Sequence, residues 1–138
     1  MKTVYVVAAI IWQERKILAT QRGHSDFAGG WEFPGDKVEV GETPEQAIVR
    51  EIREELGATI GVDSLFDVVD YDYDSFHLHM HCFLAHVESD ELQLREHRAA
   101  LWLDAEMLDD AEWLPADVQV IDKLKLRRGP LKQVRVDR

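Results

Sequence analysis

A chain of 138 residues with 46% hydrophobic and 31% charged residues is sized for one globular unit and excludes a wholly disordered polypeptide. The 16 Lys and Arg against 27 Asp and Glu leave a net charge of −11, which disfavours nucleic acid as a partner and repels any anionic small substrate. A lone cysteine, Cys82, excludes an internal disulfide and paired-cysteine zinc fingers. It reads as a small core residue in a reducing compartment. The longest apolar run, residues 4–12, falls short of the roughly 20 residues of a membrane span. With no signal-peptide or lipidation pattern, the expectation is a cytoplasmic protein with no membrane partner.

In chain order, residues 3–11 predict a buried strand and residues 16–21 a second, joined by a hairpin turn at Gln13, Glu14 and Arg15. Residues 23–30 are a polar, glycine-containing loop. Residues 31–40 hold short strand pieces, broken at Pro34 and Gly35 and closed at Gly41 and Glu42. The clearest helix follows: Thr43 as N-cap, Pro44 at the first position, Gln46 completing a capping box, and Gly57 as the stop. Residues 58–73 predict loop plus a strand around 65–69. Residues 76–87 alternate as a long strand. Residues 88–97 are a polar connection and 99–103 another strand. Asp104 caps a short helix through Met107 and Leu108. Pro115 opens a last helix carrying Val118, Ile121, Leu124 and Leu126, ending before Gly129 and Pro130. This order predicts an α/β (α+β) fold, a mixed sheet with helices packed against it. One domain spans 1–138, with a core at about 3–128 and a frayed tail at 129–138.

With Glu51 at 0° on the helical wheel, Glu54 falls near −60° and Glu55 near +40°. Ile48, Ile52, Leu56 and Val49 cluster between about +60° and +160°. Three carboxylates therefore form one stripe beside the core-facing stripe, with Arg50, Arg53 and Gln46 on the outward arc. Like charges within one turn repel, and gathered oxygens on a rigid element suit magnesium or manganese. The plain alternative is a solvated acidic face paired with Arg50 and Arg53.

The segment from Gly35 to Ala58 resembles the Nudix box, G-x5-E-x7-R-E-U-x-E-E-x-G-U, with U a bulky aliphatic residue. Glu42, Arg50, Glu51, Ile52, Glu54, Glu55 and Gly57 stand at the required spacing. Two positions depart: the first glycine falls on Asp36, after Gly35, and the last aliphatic on Ala58. If position 36 needs a positive φ, aspartate adopts it at a cost; otherwise Asp36 adds a fourth acid to the site. The resemblance runs from about residue 4 to 126 and is nearest to MutT-type nucleoside triphosphate pyrophosphohydrolases, including CTP-preferring members. The approach Trp31-Glu32-Phe33-Pro34-Gly35, Arg22 after Gln21, Glu96 six residues before Trp102, and Asp117 in the last helix all fit that group.

The resemblance implies an α/β/α sandwich, the Nudix helix on one side of the sheet and the C-terminal helix on the other. It implies Mg²⁺, with Mn²⁺ as a substitute, held by Glu51, Glu54 and Glu55, with Gly35, Asp36 and Glu96 as further candidates. Glu51 or Glu96 would take the proton of the attacking water. Glu42 and Arg50 would brace helix and loop by pairing. Lys37 reaches a phosphate or is a solvated loop lysine. Arg22, Phe33 and Phe76 meet the nucleotide or serve as surface and core residues. Asp117 reads the amine of cytosine or the N–H edge of a guanine-like base, or is an acid favoured by the helix dipole. His77, His79 and His81 share one strand face; they hold zinc or line the open side of the sheet by the nucleotide pocket.

The implied activity is hydrolysis of (deoxy)nucleoside triphosphates such as 8-oxo-dGTP or CTP to monophosphate and pyrophosphate. Alternatives are a nucleotide sugar or dinucleoside polyphosphate as substrate, or a non-catalytic nucleotide-binding module. A monomer and a homodimer are both open, since Trp12, Trp102 and Trp113 fit core or interface.

Overall fold

A computed structural model describes residues 1–23, 27–89, 92–95 and 97–127 of the chain. Six strands and two α-helices follow one another as β1 (Lys2–Gln13), β2 (Lys16–Arg22), β3 (Trp31–Glu32), α1 (Pro44–Leu56), β4 (Ile60–Asp72), β5 (Phe76–Val87), β6 (His97–Leu103), a 3-10 turn (Ala105–Asp110) and α2 (Pro115–Arg127). The strands make a mixed sheet in the order β3-β2-β1-β5-β4, with β6 also paired to β2.

The apolar run of β1 is explained by burial on both faces. Val7, Ala9 and Ile11 pack with Ile48, Ile52 and Leu56 of α1 on one side. Ala8 and Ile10 pack with Val120, Ile121 and Leu124 of α2 on the other. The expected helix on each side of the sheet is observed. β1 pairs in parallel with β5 from Lys2↔Phe76 to Ile11↔Ala85, but meets β2 only at the hairpin base, Trp12↔Ile17 and Gln13↔Lys16. The turn itself is Glu14 and Arg15 alone, at φ 53° and 67°.

Beyond that base the sheet splits, and residues 34–38 cover the edge of β1. Ala9 N–H donates to Pro34 O and Val7 N–H to Asp36 O, both at 2.9 Å, and Val38 N–H to Tyr5 O at 3.0 Å. Of the strand pieces expected at 31–40, only β3 and a Val6↔Lys37 bridge exist, because Pro34 interrupts the ladder. This splitting carries the loop before α1 into the centre of the molecule.

Three expectations need correction. β4 covers Ile60–Asp72 rather than 65–69, because bulges between Val62 and Ser64 and between Leu65 and Asp67 reset the alternation. β6 begins at His97 because Arg22 pairs with it across a register shift. On α2, Val118 and Leu126 are exposed, while Ala116, Asp117, Val120, Ile121 and Leu124 form the buried arc. The tail expected at 129–138 lies outside the described residues. No described helix is long and apolar enough to cross a membrane.

Candidate active site

The capping box of α1 is made as the sequence predicts. Gln46 N–H donates to Thr43 Oγ1 at 3.1 Å and Thr43 N–H to Gln46 Oε1 at 3.0 Å. Gly57 closes the helix in the left-handed region at φ 65°. This fixes the rotation of α1 and so the direction of its acids.

The acids do not form one stripe beside the core. Glu51 and Glu55 lie within the buried arc, and Glu54 turns outward with its side chain 54% exposed. One oxygen each of Glu51, Glu55 and Asp36 lie within 4.8 Å of one another, the single such group of His, Cys, Asp and Glu among the described residues. Arg50 holds the outer rim. Its Nε donates to Glu42 Oε2 at 2.6 Å, Nη2 to Glu42 Oε1 at 2.8 Å and to Lys37 O at 3.1 Å, and Nη1 to Glu51 and Glu54 at 3.0 Å. It is therefore a hub rather than a solvated cation. The pair lowers Glu42 to about 2.

Gly35 explains how the loop reaches this cluster. Its φ is 144°, and a Cβ there would meet Val7 O at 2.0 Å. Asp36 does not adopt a positive φ, so the strain considered for that position does not arise and its carboxylate joins Glu51 and Glu55. Ala58, the other departure, is fully buried in the core beside α1, where its small side chain is packed.

Glu55 accepts from Gly35 N–H at 3.3 Å and faces His97 Nε2 at 3.3 Å. Burial first, then the adjacent Glu51 and Asp36, push its carboxyl up to about 10. Burial also raises Glu51, opposed by Arg50. Two buried carboxyls that resist losing both protons form a site short of positive charge. The donor set is all hard oxygen, so the residues fit Mg²⁺ or Mn²⁺.

Beside the cluster, between the split sheets, lies a cavity of about 330 Å³. Arg22, Phe33, Gly35, Asp36, Lys37, Phe76 and Asp117 all line it, so the structure gathers every substrate-binding candidate of the sequence. Phe33 is nevertheless 2% exposed and stacked on Trp113 at 4.8 Å, which makes it chiefly a wall. Phe76 stacks on Tyr73 at 5.2 Å. Asp117 sits mid-arc on α2 and accepts from Phe33 N–H at 3.2 Å. Burial raises its pKa well above the ordinary 3.8, so in the empty cavity it carries a proton and can donate as well as accept.

Two residues of the site escaped the sequence reading. Glu32 is bonded by Arg22 at 3.1 Å, and burial raises it to about 7 despite that cation. His97 lies between Glu32 and Glu55, its pKa lowered by burial. Each is a polar residue at a strand position beside apolar neighbours, a signal visible in sequence but common. Glu96 lies outside the described residues.

The histidines are placed differently from either expectation. They share the sheet face of Val7 and Phe83, opposite to Phe76, Leu78 and Met80 of the cavity. His77 Nε2 and His79 Nδ1 each bond Asp70 Oδ1 at 2.8 Å, and His77 Nδ1 bonds Asp72. They form an exposed acid–histidine surface rather than a pocket wall.

Residues 2–130 match the family described as NUDIX domain. The CTP pyrophosphohydrolase of Escherichia coli strain K12 is 39% identical over 130 residues, covering 94% of this chain and 96% of that protein. The 8-oxo-dGTP diphosphatase of the same strain is 35% identical over 127 residues, covering 91% and 98%. The solution structure of the E. coli ORF135 protein superposes with a TM-score of 0.80 at 36% identity over 94% of each chain. A family match along nearly the whole sequence, over an acidic helix packed as the box requires, makes this chain a member of the Nudix family and a hydrolase of phosphoric anhydride bonds.

Proposed function

We propose that this hydrolase cleaves (deoxy)nucleoside triphosphates, with water, to the nucleoside monophosphate and pyrophosphate in the presence of Mg²⁺. The observation that carries the reading is a single cavity with Asp117, Tyr73 and Phe76 at one part of its wall and Arg22, Lys37 and Asp36 at another, against the carboxylates of Glu51 and Glu55. The first set suits a base and the second a polyphosphate.

Glu51, Glu55 and Asp36 would hold the divalent ion, with Glu54 available from the rim. When bound, such an ion neutralises phosphate charge and lowers the pKa of the attacking water. Arg22 and Lys37 supply the fixed positive charge that a strongly acidic chain otherwise lacks. Arg50 keeps the loop at Lys37 and Glu42 against α1, so that Asp36 stays beside Glu51. Glu51, buried and hydrogen-bonded to Arg50, is placed to accept the proton of water; Glu96 is the alternative base.

Asp117 recognises a base edge rich in N–H groups. Cytosine offers its amine and 8-oxoguanine its N1–H and N2–H₂, which matches the names of the two E. coli relatives. Pyrophosphate release from CTP and 8-oxo-dGTP, side by side with excess Mg²⁺ and Glu51→Gln as the blank, tests the proposal. Release that disappears in the blank supports it, and the faster substrate assigns the base. No release from either by folded protein sends the reading to another X-linked diphosphate or to a binding module.

A further inference from the structure

We propose that His97 is a positioning residue for the metal carboxylates: one of its ring nitrogens fixes Glu55 and ties it to Glu32 in the nucleotide cavity. The inference rests on the reading of Glu55 as a metal ligand given above. His97 opens β6, and its side chain is 6% exposed. Nε2 lies 3.3 Å from Glu55 Oε1 and 3.8 Å from Glu32 Oε2. Nδ1 is buried and has no hydrogen-bond partner among the described residues.

These contacts select the tautomer. A buried N–H without an acceptor is a rarer and costlier defect than a lone pair without a donor. The proton therefore sits on Nε2, facing two carboxyl oxygens, and Nδ1 keeps its lone pair. Glu55 Oε1 is then held from two sides, by Gly35 N–H and by His97. A carboxyl held this way does not swing, so it meets a cation without first being ordered.

The same nitrogen faces Glu32, which Arg22 holds at 3.1 Å. A small cavity of about 70 Å³ connects these groups; Arg22, Glu32, Gly35 and Asp36 line it and the nucleotide cavity alike. His97 thus stands where the two halves of the site meet.

Mn²⁺ binding to the nucleotide-free protein, followed by calorimetry or by the electron paramagnetic resonance of free Mn²⁺, tests this. The proteins are the unaltered chain, His97→Phe, His97→Gln and Glu55→Gln, each with its melting temperature. Phe fills the ring volume without a donor, and Gln returns an N–H near the position of Nε2. His97→Phe is expected to weaken Mn²⁺ binding by about 10- to 100-fold and to lower kcat similarly. The KM for nucleotide should stay within about twofold, because the nucleotide-lining groups remain. His97→Gln should recover most of both losses.

Equal Mn²⁺ affinity in folded His97→Phe and the unaltered protein overturns the proposal. So does a loss that Gln fails to recover, which would assign His97 to packing. Should His97→Phe not fold, His97→Asn replaces it, since that shorter amide cannot reach Glu55. Equal affinity in the Asn and Gln variants is then the overturning result. An unaltered protein that binds Mn²⁺ and releases pyrophosphate while the variants match it defeats this inference alone. One that does neither defeats the proposed function as well.

Discussion

Replacing Glu55 by Gln separates its electrostatic cost from its use. Without metal, the variant should melt higher than the unaltered protein at pH 8, because a carboxyl raised to about 10 opposes folding at any pH above its ordinary 4.5. Turnover should fall, and with it the stabilisation by Mg²⁺, which calorimetric melting would show. Glu51→Gln should lower pyrophosphate release by about 10²- to 10⁴-fold, the range for loss of a general base. Asp117 obeys the same sign. Its pKa is raised in the fold, so the folded state loses ground as pH climbs past the ordinary 3.8. Asp117→Asn should raise the melting temperature at pH 8, with the gain vanishing near pH 3.8, and should alter the ratio of CTP to 8-oxo-dGTP turnover. A gain that does not change with pH would show that burial of the charge is not what Asp117 costs.

At the scale of elements, the direction of α1 depends on its two ends. Thr43→Ala removes the hydroxyl that accepts from Gln46 N–H and should cost about 1 kcal/mol in urea unfolding. Gly35→Ala is a different matter, since its Cβ would meet backbone at Val7 O. That variant should lose activity even where it folds, because the loop must leave β1 and take Asp36 with it. The Arg50–Glu42 pair fastens this loop. Glu42 is depressed to about 2, so its contribution is full above the ordinary 4.5 and fades as pH falls towards 2. Glu42→Gln should flatten the loss of melting temperature across that acid window. An unchanged slope would exclude the pair as a source of acid sensitivity.

At the scale of the whole molecule, a net charge of −11 and a buried carboxylate cluster both ask for cations. Mg²⁺ at a hundredfold excess over its Kd should stabilise the fold by about 2.7 kcal/mol, and chelator should remove that gain. Differential scanning calorimetry in the two buffers checks it, with Glu55→Gln as the variant that should not respond. Global repulsion also predicts that kcat/KM for a nucleotide rises with salt at low ionic strength, as screening shortens the reach of the excess negative charge. A fall with salt would mean that the local field of Arg22 and Lys37 governs encounter instead.

The local features were legible because local chemistry sets them. Thr43, Pro44, Gln46 and Gly57 are readable caps, the apolar run of β1 requires burial on both faces, and the spacing from Glu42 to Gly57 marks the family. A period-two reading failed for β4, where bulges reset the alternation, and the wheel left Glu51 and Glu55 beside the core rather than in it. The departure at Asp36 was undecidable until the positive φ was seen on Gly35. Glu32 and His97 stay unremarkable in sequence because their partners are distant along the chain. Only the splitting of the sheet after Trp12 and Gln13 admits residues 34–38 to the edge of β1 and places β3, β6 and α1 around one point. A sequence records which side chains can ionise; the burial and neighbours that shift them exist only after strands far apart have paired.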